Sequence, residues 1–160
     1  ARRQRQMCIR DRYFIKALEN KKNTKFVTLE GVKGLCEMAS ARFNRLTSQN
    51  RFEVVHGLYD KTLPSVLKSR IRFDLVFIDG NHQYEATLKY FELVKNNLTD
   101  GALVIFDDIH WSKGMRKAWE EIGVQKEIAF SINFFKLGII VFDPKQTKPT
   151  DDHYQLFLSM

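Results

Sequence analysis

The sequence predicts an α/β fold built on a mostly parallel sheet, and three observations carry that prediction. Apolar runs of strand length alternate with stretches that place apolar residues at helical spacing. The run at 74–79 is nearly continuously apolar, as in a strand covered on both faces. Acids close several of these runs, at the strand ends where open α/β sheets hold their ligands. Helices of this length between strands imply βαβ units, with helices expected on both faces of the sheet.

The elements follow in order. "YFIKALEN" from residue 13 reads as the last turns of a helix, and "KFVTLEG" (25–31) as a strand stopped by glycine. Residues 34–47 place Leu35, Met38, Ala39, Phe43 and Leu46 on one helical face. "FEVVHG" (52–57) is a second strand, followed by a short helix at 62–69 with Pro64 in its first turn. "RFDLVFID" (72–79) is a third strand, after which Tyr84, Leu88, Phe91, Val94 and Leu98 line a helix face. "GALVIFDD" (101–108) is a fourth strand, and Met115, Ala118, Trp119 and Ile122 mark the next helix. Two late strands, 126–132 and 136–142, are close enough to pair as an antiparallel hairpin. The polar stretch 144–160 is expected to be a loose C-terminal extension.

Composition narrows the class. The 160 residues are 44% hydrophobic and 12% aromatic, enough for one domain with a real core. No apolar run approaches the roughly 20 residues that span a bilayer. Arg2, Arg3, Arg5, Arg10 and Arg12 precede no apolar segment, so residues 1–12 do not read as a signal peptide. Cys8 and Cys36 lack metal-type spacing, and Cys36 lies on a helical face as a small hydrophobe. A reducing, cytoplasmic setting is expected, with no membrane partner.

The net charge of +7 invites a nucleic-acid reading. Those five arginines against Asp11 account for most of it, however, and the remaining lysines form no basic stripe interleaved with aromatics. "MCIRDR" at 7–12 also resembles read-through adapter sequence. Residues 1–12 are therefore expected to be a non-native or disordered basic segment, leaving 13–143 as the folded domain.

Two constellations carry chemistry. Glu30 ends a strand before Gly31, where a carboxylate suits the two hydroxyls of a nucleoside ribose; a solvated loop acid is the plainer alternative. Asp79, Asp107 and Asp108 would gather at neighbouring strand ends and repel unless a cation sat among them. All-oxygen ligation favours Mg²⁺, Mn²⁺ or Ca²⁺. Against that, Asp79-Gly80 could be a hairpin turn, but a helix follows; Asp108 could cap a helix, but Ser112 is better placed. His82, three residues past Asp79, could be a general base near neutral pH, or only a helix-entry histidine. Asn81, Tyr84 and Trp111 would rim the same crevice, and His110 could face it or the surface. His56 and His153 read as incidental. Tyr59 and Asp60 stand where an adenine could be stacked and contacted.

Together, "KFVTLEG", "HGLYDKTLP", "FDLVFIDGNHQYEATLKYF" and "GALVIFDDIHW" resemble the class I S-adenosylmethionine-dependent O-methyltransferases. The similarity is to the metal-dependent branch with small-molecule and macrolide-sugar enzymes, and it covers residues 13–142. It implies a Rossmann-like fold and transfer of a methyl group to a small-molecule hydroxyl. It assigns Glu30, Gly31, Tyr59 and Asp60 to the cofactor, Asp79, Asp107 and Asp108 to a divalent metal, and His82 to the general base. Related enzymes assemble through N-terminal elements, so a homo-oligomer is an open expectation.

One departure stands out. The family's first strand and glycine-rich loop are not found, and "EGVKG" lacks the fingerprint. That strand lies between those at 25–30 and 73–79. A chain without it is expected to carry two unpaired sheet edges, and its activity stays open. Two other readings remain: a metal-dependent hydrolase or hydroxylase-type relative using the Asp/His cluster, and a non-enzymatic basic binding module. Glu30 separates the first from a methyltransferase, since a hydrolase would be indifferent to its loss.

Overall fold

In the computed structural model, which describes residues 11–69 and 71–156, the strands form two sheets rather than one. The chain divides into two compact units, one ending at Val66 and one beginning at Leu67. The expectations for residues 1–10 lie outside the described residues.

The first unit opens with helical residues 11–18 (α1), so Asp11 and Arg12 belong to the fold. Asp11 accepts a hydrogen bond from the Thr28 hydroxyl at 3.1 Å. The end of α1 leaves carbonyls without helical partners. The Arg51 guanidinium meets them, donating to the oxygens of Leu18 at 2.7 Å and Glu19 at 2.9 Å. Strand β1 (Phe26–Glu30) pairs in parallel with β2 (Phe52–His56) through α2 (Lys33–Phe43). Ile15, Ala39, Phe43 and Phe52 form the buried core, with Phe26, Leu46 and Val54 packed on it. Phe43 meets Phe26 and Phe52 edge-on at 5.9 and 5.4 Å, the geometry aromatic pairs favour. Met38, expected on the core face, is exposed; one helix flank suffices to cover a two-stranded sheet.

Helix α3 (Tyr59–Leu67) begins three residues before the sequence suggested, with Pro64 inside it rather than in its first turn. Leu58 sets the start, its carbonyl accepting the N–H groups of Lys61 and Thr62.

In the second unit the sheet order is β3 (Phe73–Ile78), β4 (Leu98–Phe106), β6 (Gly138–Phe142), β5 (Ile128–Asn133), β7 (His153–Gln155). β3 and β4 are parallel, while β5 and β6 form the expected antiparallel hairpin. Helices α4 (Tyr84–Lys95) and α5 (Lys113–Gly123) pack on one face. There Phe91 and Trp119 both sit edge-on to Phe106, at 5.8 and 5.9 Å. Trp119 also lies flat on Gly138, where a Cβ would come within 2.6 Å of its ring.

Three sequence expectations change here. Leu98 opens β4 instead of closing the preceding helix face, because Asn97 already ends the helical turn. β3 is not buried on both faces: among the described residues it pairs only with β4, and Leu75 is 42% exposed beside its register neighbour Leu103. The C-terminal stretch is not wholly loose, since β7 adds to the sheet beside β5. β1 and β3 are thus edge strands of their sheets. No helix among the described residues is long and apolar enough to cross a membrane.

Candidate active site

Glu30 is the last residue of β1 and only 8% exposed, so it is not a solvated loop acid. Parallel pairing sets Glu30 beside His56, which brings the two strand-end loops together. Gly57 then donates its N–H to the Glu30 carbonyl at 2.9 Å. Gly57 has φ +143°, and a Cβ there would lie 2.8 Å from Thr62 Cγ2, so the close approach requires glycine. Sequence reasoning passed over Gly57, although a glycine directly after an apolar strand was the available signal.

The Glu30 side chain divides its two oxygens. Oε1 accepts the Val32 N–H at 2.8 Å, at the start of α2. Oε2 is buried and has no hydrogen-bond partner among the described residues. Leaving such an acceptor dry and unmatched is costly. A ligand hydroxyl fits that gap in kind, because an ionised carboxylate only accepts.

The other residues assigned to the cofactor are less distinctive. A Cβ at Gly31 would meet nothing closer than the Gly57 carbonyl at 4.0 Å, so nothing local demands glycine there. Tyr59 and Asp60 form the first turn of α3, where an acid is favoured by the helix dipole whatever else it does. Cys36 is buried, its thiol directed at the Glu30 carbonyl 3.5 Å away.

The second group lies at the carboxyl ends of β3 and β4. The Asp107 N–H continues their ladder by donating to the Ile78 carbonyl at 3.0 Å. Asp108 then turns into the left-handed region at φ 53°, and Asn81 does the same at φ 50°. These turns bring His82 to both strand ends. Its Nε2 stands 3.8 Å from Asp79 Oδ1 and 3.9 Å from Asp108 Oδ2. All three side chains are mostly buried, the histidine 17% exposed. Both carboxylates therefore face one nitrogen of the ring.

The metal reading meets a different geometry. Among the described residues, no group of three or more His, Cys, Asp or Glu side chains is disposed to hold a metal ion. The arrangement does not fit the expected Asp79, Asp107 and Asp108 cage.

Neighbouring residues sort themselves. Trp111 is 58% exposed, its ring centre 6.4 Å from that of His82. Ser112 caps α5 as expected, its Oγ accepting the Met115 N–H at 3.1 Å. His110 turns to the β5–β6 connection instead, stacked on Phe135 at 5.2 Å with Nε2 3.0 Å from Asn133 Nδ2. His153 Nδ1 lies 2.8 Å from Ser131 Oγ, a hydrogen bond joining β7 to β5. Tyr84 faces α5, its hydroxyl 2.8 and 2.7 Å from the two Glu121 oxygens. That carboxylate accepts a hydrogen bond from the phenol, which holds the proton on the oxygen and raises the Tyr84 pKa above its ordinary value.

The family model described as a methyltransferase domain matches residues 12–109. The chain belongs to the methyltransferase-domain family. That stretch holds Glu30, Asp79, His82, Asp107 and Asp108.

Solved structures agree on the fold of this methyltransferase-family chain. It is similar to an O-methyltransferase from Bacillus cereus in complex with SAH, at 21% identity and TM-score 0.60 over 73% of this chain and 62% of that one. It is also similar to the O-methyltransferase TomG from Streptomyces achromogenes, in complex with SAM, at 19% identity and TM-score 0.65 over 76% and 63%. A third likeness is to MycE from the mycinamycin biosynthetic pathway, in complex with Mg, SAH and mycinamycin VI. There identity is 13% and TM-score 0.55, over 88% and 50%. The fold is Rossmann-like, and the chain spans less than two thirds of each of these three. No curated protein matches the sequence.

Proposed function

We propose that the chain carries S-adenosylmethionine-dependent O-methyl transfer to a small-molecule hydroxyl. The observation that carries the reading is the unmatched, buried Glu30 Oε2 in a chain of this family. S-adenosylmethionine supplies a sulfonium methyl that a hydroxyl oxygen takes in an in-line displacement, leaving S-adenosylhomocysteine. The relatives' SAH and SAM complexes support that choice of donor.

Glu30 then has a ligand-directed task. Its Oε1 is committed to Val32, so Oε2 is the acceptor left for a ribose hydroxyl. Tyr59 and Asp60 would flank the adenine end, and Gly31 lets the backbone pass close to the nucleoside.

His82 is the general base. Its Nε2 receives the acceptor's proton, and Asp79 and Asp108 offset the resulting positive charge. Removing that proton turns a weak alcohol nucleophile into an oxyanion. Trp111 borders His82 as an apolar wall for the acceptor.

The test is transfer of labelled methyl from S-adenosylmethionine to a panel of catechols, sugars and alcohols, with and without EDTA. Transfer that survives EDTA and is lost in His82→Gln supports the reading. Transfer abolished by EDTA would restore the metal-assisted form. No transfer together with hydrolysis of a panel member would favour the hydrolase relative.

A further inference from the structure

The loops that carry His82 and Asp108 have one thing in common: each runs directly into a helix. Residues 79–83 enter α4 at Tyr84, and residues 107–112 enter α5 at Lys113. His82 reaches its carboxylates at 3.8 and 3.9 Å, beyond ordinary hydrogen-bond length, so these contacts do not lock it. Its position depends on where the two helix starts are held.

Tyr84 ties the start of α4 along α5, meeting its first turn at Gly114 and its last at Glu121. Tyr84, the first residue of α4, donates its hydroxyl to Glu121 on α5, at 2.7 Å from the nearer oxygen. Lys117 Nζ lies 4.6 Å from the centre of the Tyr84 ring and 3.6 Å from Glu121 Oε1, closing the group. Gly114 lets the two helices approach, since a Cβ there would stand 3.3 Å from Tyr84 Cβ. One turn on, the Thr87 hydroxyl lies 3.2 Å from Met115 Sδ and 2.9 Å from the Gln83 carbonyl, tying the loop's last residue into the same junction.

We infer that Tyr84 is a positioning residue, which through Glu121 holds the His82 loop at its distance from Asp108. The inference rests on the assignment of His82 as the base for its catalytic consequence, but not for its geometry. Tyr84 touches no reacting group in this scheme. It acts by fixing α4 against α5, and a shift of a few tenths of an ångström there changes the histidine's relation to two carboxylates and to the Trp111 ring.

The His82 ring signals report that relation directly. The experiment is a carbon–proton NMR spectrum of the ligand-free chain with labelled histidine rings, His82 being identified from His82→Gln. Tyr84→Phe keeps the ring and loses only the hydroxyl; Glu121→Ala removes the acceptor; Glu121→Gln keeps one. We expect the His82 signals to move in Tyr84→Phe and Glu121→Ala and to stay in Glu121→Gln, while those of His56, on β2, stay in all three. A His82 signal unchanged in a folded Tyr84→Phe chain with a lowered Tm would make the contact merely structural and overturn the inference.

Kinetics supply the second arm, using S-adenosylmethionine and a catechol. Tyr84→Phe should lower kcat about fivefold or more without changing KM for the donor, with Glu121→Gln near the parent rate. Equal kcat in Tyr84→Phe would also overturn the inference. If the parent chain transfers no methyl group, the functional reading fails, and the NMR arm still decides the positioning role.

Discussion

Glu30 gives one carboxylate oxygen to the Val32 N–H at 2.8 Å and leaves the other buried and unmatched among the described residues. The first bond explains why an acid can close β1: it steadies the start of a helix whose Val32 cap has no side-chain acceptor of its own. The second oxygen has no such explanation within the unit. A residue kept at a cost to stability is the pattern expected of a ligand contact.

Glu30→Gln should therefore fold at least as well as the parent. The amide keeps an acceptor for Val32 and removes a buried charge that lacks a second partner. Thermal unfolding of the ligand-free chains should give a Tm equal to or above the parent's, within about 1 kcal/mol. A fall of several degrees would mean that the second oxygen already has a structural partner.

His82→Gln removes the proton acceptor while keeping a side chain of similar reach. Methyl transfer should fall on the order of a hundredfold or more, the usual contribution of a positioned general base. Binding of S-adenosylhomocysteine, measured in parallel, should not change. Loss of both together would place the damage in folding rather than in proton transfer.

Much of this was legible in the sequence, and the exceptions have physical causes. Helical spacing located α2, α4 and α5, and the apolar runs located the strand ends at Glu30, Ile78 and Phe106. The β3 run looked doubly covered because a hydrophobic strand at a sheet edge has the same composition as one at its centre. Sequence also gave three adjacent-looking carboxylates, but not the left-handed turns at Asn81 and Asp108 that put an imidazole beside two of them. The Tyr84–Glu121 pair was invisible because its members are 37 positions apart and each reads as an ordinary helix residue.

Gly138→Ala tests the packing of the larger sheet. The added methyl would lie 2.6 Å from Cε3 and 2.7 Å from Cη2 of Trp119, inside contact distance on a fixed ring. Overpacking of this kind costs about 1–3 kcal/mol, visible as a lowered denaturation midpoint with unchanged slope. An unchanged midpoint would mean that Trp119 has room to slide.

Asp100 and Lys145 predict a small pH-dependent stability difference. The hydrogen bond from Lys145, 2.7 Å long, lowers the Asp100 pKa from 3.8, and the same contact raises that of Lys145 from 10.5. A depressed carboxyl stabilises above its unfolded value and loses that effect as pH falls through the lowered one. The raised amine contributes fully below 10.5 and loses its share as pH climbs through the higher folded value. The Tm gap between the parent and Asp100→Asn should thus be present at neutral pH and shrink toward both extremes. Both groups are exposed, so added salt should narrow it as well. A gap that persists at pH 2 would assign the effect to packing.

The most direct measurement is isothermal titration of S-adenosylhomocysteine into the purified chain and into Glu30→Gln. The account predicts saturable binding to the parent and at least tenfold weaker binding to the variant, about the worth of a hydrogen bond to a charged group. Equal affinities, or heat that never saturates with the parent, would contradict it.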